Sequence, residues 1–257
     1  MTTSPLHLAA SAALLLFSPL AAPTALAEEG PAPCVKSLDR VVLTLTPEAA
    51  EALTEAETLR LAEILDATHA AVQADFPALA DGVRVELGLM DRDLEMVGGV
   101  TGRADAPGEI VISVSTLFPG GTAAAIETGL ASTFAHELHH LVRGWTIRGN
   151  HFGPGIDIAA VNEGLAVVYA ESLTGASFAG NTPPDAQTAQ AWALEVRALP
   201  RNANYGEWMF QHPDGRMAVG YRAGSFLVRE ALGGSGLSVI ELSEKSPEEI
   251  WSLSGVE

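Results

Sequence analysis

The sequence predicts an α+β domain in which strands come first and helices follow. Three segments of the first half alternate apolar and other residues with the period of a strand; they cover residues 41–46, 83–90 and 109–115. The second half repeats apolar residues at helical spacing instead, over residues 122–143, 156–174, 187–198, 218–232 and 247–253. This order favours an α+β fold over an alternating α/β fold.

One long helical pattern separates the first strand from the second. A loose leader over residues 28–37 precedes the first strand, and Pro47 then begins a helix that runs to about Phe76, since proline is favoured in the first helical turn. A glycine-rich turn region around residues 98–108 divides the second strand from the third.

The two helices in the middle of the chain are well delimited by their end signals. Thr122 can cap the first helix and Gly144 can end it. A glycine-rich loop over residues 144–155 leads into the second helix, which Gly175 closes. These two helices carry the residues with the clearest chemical pattern.

Residues 1–27 have the pattern of a secretory signal peptide. An uncharged apolar run at residues 8–17 leads to an Ala-x-Ala cleavage site at residues 25–27, although no Lys or Arg precedes the run. The run is too short to span a bilayer comfortably, which argues against a membrane anchor. We therefore expect residues 28–257 to form an exported protein, periplasmic or extracellular, with no membrane anchor after cleavage.

Charge and cysteine content exclude several classes of function. The chain has 14 basic and 32 acidic residues, a formal net charge of −18, and such a field repels the phosphates of nucleic acids. Cys34 is the only cysteine, so neither an intramolecular disulfide nor a multi-cysteine metal site can form. Nothing in the sequence indicates the oligomeric state.

His136 and His140 lie four residues apart on the first of the two central helices. They differ by only about 40° around the helix, so both imidazoles project from one face and can bind the same zinc ion. Glu137 follows His136 at the edge of that face, where it can act as general base towards a metal-activated water. An apolar stripe on another face of the helix would be buried in the core, and it consists of Ile126, Leu130, Phe134 and Leu141.

Glu163 on the second central helix is the candidate for the third metal ligand. Its helix face is otherwise apolar, with Ile156, Ala160, Val167 and Ala170. A carboxylate within an apolar stripe is costly to bury unless a cation meets it, and zinc held by His136 and His140 would be that cation. The alternative is a salt bridge from Glu163 to Arg143, which shares the histidine face.

These residues resemble the gluzincin group of zinc peptidases, and in particular the DUF2268 family of predicted zinc-dependent proteases. The matching motifs are His-Glu-Leu-His-His-Leu-Val-Arg at residues 136–143, Glu-Gly-Leu-Ala at 163–166 and Gly-Tyr-Arg-Ala-Gly at 220–224. The similarity spans roughly residues 40–235. It implies a zincin fold, namely a small mixed sheet with an active-site helix (about residues 38–143) followed by a helical lobe (about residues 156–257). It also implies a peptide or protein substrate.

The match departs from better-known relatives in two places. Thermolysin-like enzymes have an Asp four residues after the third ligand to orient a histidine, and here that position is Val167. Asn162 and Glu171 are the remaining candidates for this orienting role. The metzincin pattern also fails, since Arg143 and Thr146 stand where it requires Gly and His.

Three further residues have two interpretations each. Tyr221 could donate its hydroxyl to the developing oxyanion, as a tyrosine does in several gluzincins, or it could be an aromatic core residue. His139 points away from Glu137, which favours a packing or supporting role over metal ligation. His151 lies in the glycine-rich loop, where it is either solvated or faces the cleft.

Two other classes of function compete with a peptidase. Glu137 and His140 also match the Glu-x-x-His element of di-iron bundles, but the chain has no second such element. A catalytically inactive zincin-fold protein that binds zinc without turnover is the other alternative. Retention of Glu137 argues against it, since an inactive site could lose its base.

The third strand has an expected role in substrate binding. In gluzincin-type enzymes an extended substrate adds to the edge strand above the active-site helix. One face of residues 110–115 is apolar and the other more polar, so we expect this strand to be that edge.

The signal-peptide pattern predicts the mature N-terminus. We expect cleavage after Ala27, so that the exported protein begins near Glu28 and is found outside the cytoplasm. Intact-mass measurement of protein recovered from each cell fraction checks this. A chain that retains Met1 in the soluble cytosol would contradict it.

Overall fold

The computed structural model describes residues 34–256, so the expected signal peptide at residues 1–27 lies outside the described part. Within that part the chain has a five-stranded mixed sheet and nine α-helices, which confirms the α+β class. The strands are β1 Cys34–Ser37, β2 Val41–Leu45, β3 Val83–Met90, β4 Val100–Ala106 and β5 Glu109–Ser115. The helices are α1 Pro47–Ala52, α2 Glu55–Asp75, α3 Gly121–Arg143, α4 Ile156–Thr174, α5 Ala186–Arg197, α6 Tyr205–Met209, α7 Val219–Ser235, α8 Val239–Ser243 and α9 Pro247–Ser254.

The sheet has the strand order β1-β2-β3-β5-β4. The β2–β3 and β3–β5 pairs are parallel, whereas the β1–β2 and β4–β5 pairs are antiparallel. The expected position of the 110–115 strand is therefore wrong, because β5 is internal and β4 is the edge. The antiparallel β4–β5 hairpin, which turns at residues 107–108, inserts β5 beside β3 and leaves β4 outside.

Two local predictions fail because β1 and β4 have few apolar residues and no regular apolar alternation, so neither gives a clear strand signal. The turn region expected at residues 98–108 is mostly β4, and Gly98 and Gly99 supply the left-handed turn before it. The loose leader contains β1, where Cys34 pairs with Leu45 and is half-buried against the core.

End signals explain where the helices depart from expectation. The single helix expected over residues 47–76 is interrupted at Leu53, because Thr54 forms a capping box with Glu57 and starts a new helix. Thr122 does not cap α3, which begins one residue earlier after Gly120 in a left-handed conformation. Gly144 and Gly175 end α3 and α4 in that conformation, as expected.

The described residues form two apolar clusters, and α3 and α4 lie between them. One cluster fills the space between the sheet and helices α2 and α3. The other surrounds α4 with α5, α7 and α9. Helix α4 is therefore buried on nearly all sides, and no described helix is both long and apolar enough to cross a membrane.

Helices α4 and α7 approach each other through two glycines. A Cβ added to Gly164 would lie 2.2 Å from the backbone of Gly224, and one added to Gly224 would lie 1.8 Å from Ala160 O. Any side chain at either position would push the helices apart. Because Gly164 directly follows Glu163, this contact also fixes the depth at which the Glu163 carboxylate is held.

The internal position of β5 predicts the effect of a proline there. Ser113 pairs with Thr101 on one side and with Gly88 on the other. We expect Ser113→Pro to lower the free energy of unfolding by about 3 kcal/mol or more, since it removes a ladder donor within a packed sheet. Urea unfolding followed by circular dichroism measures this loss. Ser113→Ala keeps the donor and is the control; equal, small losses in both variants would contradict an internal β5.

Candidate metal centre

Three side chains from α3 and α4 meet between the helices. His136 Nε2 and His140 Nε2 each lie 3.1 Å from the same oxygen of Glu163, Oε2. The two imidazole rings are edge to face, with centroids 4.5 Å apart. His140 and Glu163 are buried, and the His136 side chain is 14 % exposed. The spacing predicted from the sequence is therefore realised in the fold.

This arrangement has the donor set and the spacing of a zinc site. Two imidazole nitrogens and one carboxylate oxygen are ligands that zinc prefers, and a fourth position remains for water or substrate. Ligand atoms of a tetrahedral site with bonds of about 2.0 Å lie roughly 3.3 Å apart, close to the 3.1 Å found between each imidazole and Glu163. His136, His140 and Glu163 form a cluster whose ligand atoms all lie within 4.8 Å of one another.

The alternative salt bridge between Glu163 and Arg143 does not form. Arg143 Nε donates to Asn162 Oδ1 at 2.9 Å, and its Nη1 donates to the carbonyls of Ser243 and Lys245. Burial lowers the pKa of Arg143 to about 10. Arg143 thus anchors the end of α3 to the segment after α8, and Glu163 is left to the two histidines.

Neither residue proposed to orient a metal-binding histidine does so. Asn162 is occupied by Arg143 and by the carbonyl of Ile158. Glu171 contacts Ser177 and Arg229. The Nδ1 atom of His140 is buried and has no partner among the described residues. Within the described residues, the supporting hydrogen bonds of this site are made to Glu163 instead.

Trp145 and Tyr205 hold the other oxygen of Glu163. Trp145 Nε1 donates to Oε1 at 2.9 Å, and the Tyr205 hydroxyl lies 3.5 Å from the same atom. Burial opposes ionisation of Glu163, but the neighbouring His140 and His136 bring its pKa well below the ordinary value. One oxygen is thus fixed by the indole while the other faces the histidines.

Sequence reasoning missed Trp145 and Tyr205. The only signal for Trp145 is its place directly after Gly144, whose left-handed backbone ends α3 and turns the chain back towards α4. Tyr205 begins the five-residue helix α6, which is too short for a periodic pattern, although Asn204 caps it.

Glu137 lies against the edge strand β4, beside the cluster of His136, His140 and Glu163. A Cβ added to Gly102 of β4 would be 2.9 Å from Glu137 Oε1, so only glycine leaves room for this carboxylate. Burial is the main reason that its pKa is raised to about 7. Its Oε2 atom is buried without a partner in the described part. A carboxyl group that has a pKa close to 7 and one oxygen without a partner is suited to accepting and returning a proton.

Tyr221 lies in the cleft close to His136, with ring centroids 6.5 Å apart. Loss of solvation, reinforced by the charge of Glu163, raises the pKa of Tyr221 well above its ordinary value. The same two causes raise the pKa of Tyr205. Both hydroxyls therefore stay protonated at neutral pH and can donate hydrogen bonds.

The remaining histidines of the motif region have other surroundings. His139 is fully buried, with Nε2 2.8 Å from Ser243 Oγ and its ring stacked on Tyr169. Burial lowers its pKa well below the ordinary value, which keeps it neutral. His151 is exposed, with its ring over Gly144, and it lines neither of the cavities at the metal cluster. His139 therefore has a packing role, and His151 is solvated.

Two cavities meet at the cluster of His136, His140 and Glu163, and Glu137 and Tyr221 line both. The first, of about 350 Å³, extends from His136 between α3, α4 and the loop at residues 176–181. The second, of about 590 Å³, extends from His140 and Glu163 towards the loop at residues 145–155. A substrate could therefore reach Glu137 from either side.

The chain also matches the sequence model of a known protein family. A family model described as "Predicted Zn-dependent protease (DUF2268)" matches residues 77–252 of the chain. The match includes α3, α4 and α7, and therefore all the residues of the cluster. No curated protein is similar enough to the chain to match it.

The indole of Trp145 gives a prediction for metal affinity. We expect Trp145→Phe to weaken zinc binding about 10- to 100-fold, because Glu163 loses the partner that orients it. Competition with a chromophoric chelator measures the dissociation constant. Glu163→Ala, which removes the ligand itself, is the reference for a larger loss. Unchanged affinity in Trp145→Phe would show that the hydrogen bond to Oε1 does not orient the ligand.

Proposed function

The chain belongs to the DUF2268 family of predicted Zn-dependent proteases, and on this basis we propose that it is a zinc peptidase with a zincin-like fold. The observation that carries the proposal is the convergence of His136, His140 and Glu163 with Glu137 beside them in an open cleft. A purely structural metal site would not require a carboxyl group with a raised pKa and a free oxygen at its edge.

His136, His140 and Glu163 would hold the zinc. When bound there, zinc supplies a Lewis acid that polarises the scissile carbonyl and lowers the pKa of a water molecule. The protein buries His140 and Glu163, leaves His136 partly exposed, and holds Glu163 through Trp145. The three side chains are therefore held where the two cavities meet.

Glu137 would be the general base and then the general acid. It takes a proton from the attacking water as the new carbon–oxygen bond forms, and it returns that proton to the leaving nitrogen as the carbon–nitrogen bond breaks. Its buried oxygen Oε2 has no partner among the described residues and is available to carry the proton in both steps. Gly102 keeps the carboxyl group close to the edge strand.

Tyr221 would stabilise the oxygen on which negative charge develops. Its hydroxyl remains protonated because desolvation and Glu163 raise its pKa, so it can donate a hydrogen bond to that oxygen. Tyr205 has the same protonation state, but its hydroxyl already donates to Glu163 Oε1, at 3.5 Å. We assign Tyr221 to the substrate and Tyr205 to support of the ligand.

An extended peptide would bind along β4, the edge strand. Gly102 lies opposite Ile112 in the β4–β5 ladder. Ser115 N donates to Gly99 O, and hydrogen-bonded pairs alternate along an antiparallel ladder, so the N–H and C=O of Gly102 point away from β5. Gly102 also lines both cavities of the cleft. Its free N–H and C=O groups can add the substrate to the sheet. In this proposal the peptidase acts outside the cytoplasm, which rests on the signal-peptide pattern at residues 1–27.

Replacing the base tests the chemistry separately from the metal site. We expect Glu137→Gln to reduce peptide hydrolysis at least about 100-fold while zinc content stays near one per chain, because the amide cannot accept the proton. Peptide cleavage and metal analysis on the same preparation measure both quantities. A chelator should abolish wild-type activity, and added zinc should restore it.

Two outcomes would contradict the proposal. Hydrolysis that persists in Glu137→Gln would place the chemistry elsewhere. A wild-type protein that binds zinc but cleaves no peptide of a diverse library would be a zinc-binding protein without peptidase activity.

A further inference from the structure

The cavity on the His136 side has an apolar interior. Its floor and walls are formed by Val97, Val100, Val167, Ala170, Phe178 and Met209. We call it the apolar cavity, and the cavity on the His140 side the polar cavity. The polar cavity is lined by Arg103, Arg201 and Asn150 together with Tyr205 and Trp145, and also by the apolar residues Ile147, Ile156 and Phe210. The apolar cavity differs from it in having more aliphatic lining residues and fewer arginines.

The acidic side chains of the apolar cavity, apart from Glu137, are already engaged. Glu171 pairs with Arg229 and accepts a hydrogen bond from Ser177. Asp93 accepts a hydrogen bond from the backbone N–H of Glu95. The exposed Arg92 also lines both cavities, and the remaining lining of this cavity provides mainly apolar surface for a ligand to cover.

The exposed apolar residues of the protein are concentrated around this site. Nine large hydrophobic side chains are exposed in the described part of the chain, and five of them line the two cavities. Met96, Phe210 and Met217 stand at the apolar cavity with 49 %, 57 % and 41 % of their surface exposed. A cluster of exposed apolar residues around a cleft indicates a surface that another apolar group covers.

The walls of the apolar cavity are held in place by backbone contacts. Gly180 N donates to Met96 O at 2.9 Å, which ties the loop at residues 176–181 to the turn before β4. Phe178 packs so closely on Gly98 that a Cβ there would lie 2.5 Å from its ring. On the opposite side, Gln211 and Met217 form a β-bridge. The cavity is therefore preformed, and binding costs little conformational entropy.

We propose that the apolar cavity is the specificity subsite of the peptidase and takes a large apolar side chain, such as Leu, Met or Phe, from a residue that flanks the cleaved bond. This inference rests on the proposed function, since it places the scissile bond at Glu137 where the two cavities meet. The volume of about 350 Å³ accommodates one such side chain with room to spare. The polar cavity takes the chain on the other side of the bond and imposes no apolar requirement.

A peptide library tests the selectivity. The zinc-loaded mature protein is incubated with a library randomised around the cleaved bond, and products are sequenced by mass spectrometry. We expect Leu, Met and Phe to be enriched at one of the two flanking positions only. For a matched pair of peptides with Leu or Ala at that position, kcat/KM should differ by about 10-fold or more.

Variants at the mouth of the apolar cavity test whether this cavity determines the selectivity. The double variant Met96→Gln, Met217→Gln replaces two exposed apolar side chains by polar ones of similar length. We expect the Leu-to-Ala ratio of kcat/KM to fall several-fold towards 1. Leu59→Gln is the matched control, because Leu59 is 61 % exposed on α2 and lines neither cavity. It should leave the ratio unchanged.

A binding measurement separates this inference from the proposed function. Glu137→Gln is loaded with zinc, and the dissociation constants of the Leu and Ala peptides are compared by calorimetry. Tighter binding of the Leu peptide, lost in the added Met96→Gln, Met217→Gln background, supports the subsite even if the wild type cleaves nothing. Equal binding of both peptides, enrichment of charged or small residues in the library, or a ratio unaffected by the double variant would overturn it.

Discussion

The carboxylate of Glu163 is the constraint around which this protein is organised. It lies on a helix that is buried on nearly all sides, and an uncompensated charge in such a place is strongly unfavourable. The polar groups that reach it come from three other parts of the chain, namely two imidazoles from α3, an indole from the following loop and a hydroxyl from α6. The close approach of Gly164 to Gly224 then sets how deep the carboxylate sits.

The same constraint explains why the cleft has two unlike sides. Helix α4 presents Val167 and Ala170 one and two turns after Glu163, and both line the apolar cavity. Its N-terminal end, at Gly155 and Ile156, lines the polar cavity beside Arg201. Helix α4 therefore carries Glu163 and also contributes to the lining of both cavities. It gives apolar residues to one cavity and its N-terminal end, beside Arg201, to the other. The edge strand β4 and its Gly102 complete the cleft opposite Glu137.

Long amphipathic helices and the residues on them could be predicted from the sequence, because their spacing is set by one local period. The convergence of His136, His140 and Glu163 follows from that period together with the cost of a carboxylate in an apolar stripe. The hydrogen bonds of Trp145 and Tyr205 could not be predicted in this way, since they depend on where a glycine turn and a five-residue helix place two aromatic rings. The sequence pattern also could not predict that β5 is an internal strand. Apolar alternation marks a strand, but the order of strands is decided by how the β4–β5 hairpin docks against β3.

The anchoring of Arg143 has a consequence for the order in which the protein is assembled. The guanidinium at the end of α3 is buried, and its Nη1 atom donates to carbonyls of Ser243 and Lys245, about 100 residues later in the chain. His139, one turn earlier, lies against Ser243 in the same way. Until that late segment has packed, Arg143 and His139 are hydrated by water instead of bonded to these groups. We therefore expect the C-terminal half of α3, which carries His136 and His140, to be fully fixed only after residues 243–245 have packed against it.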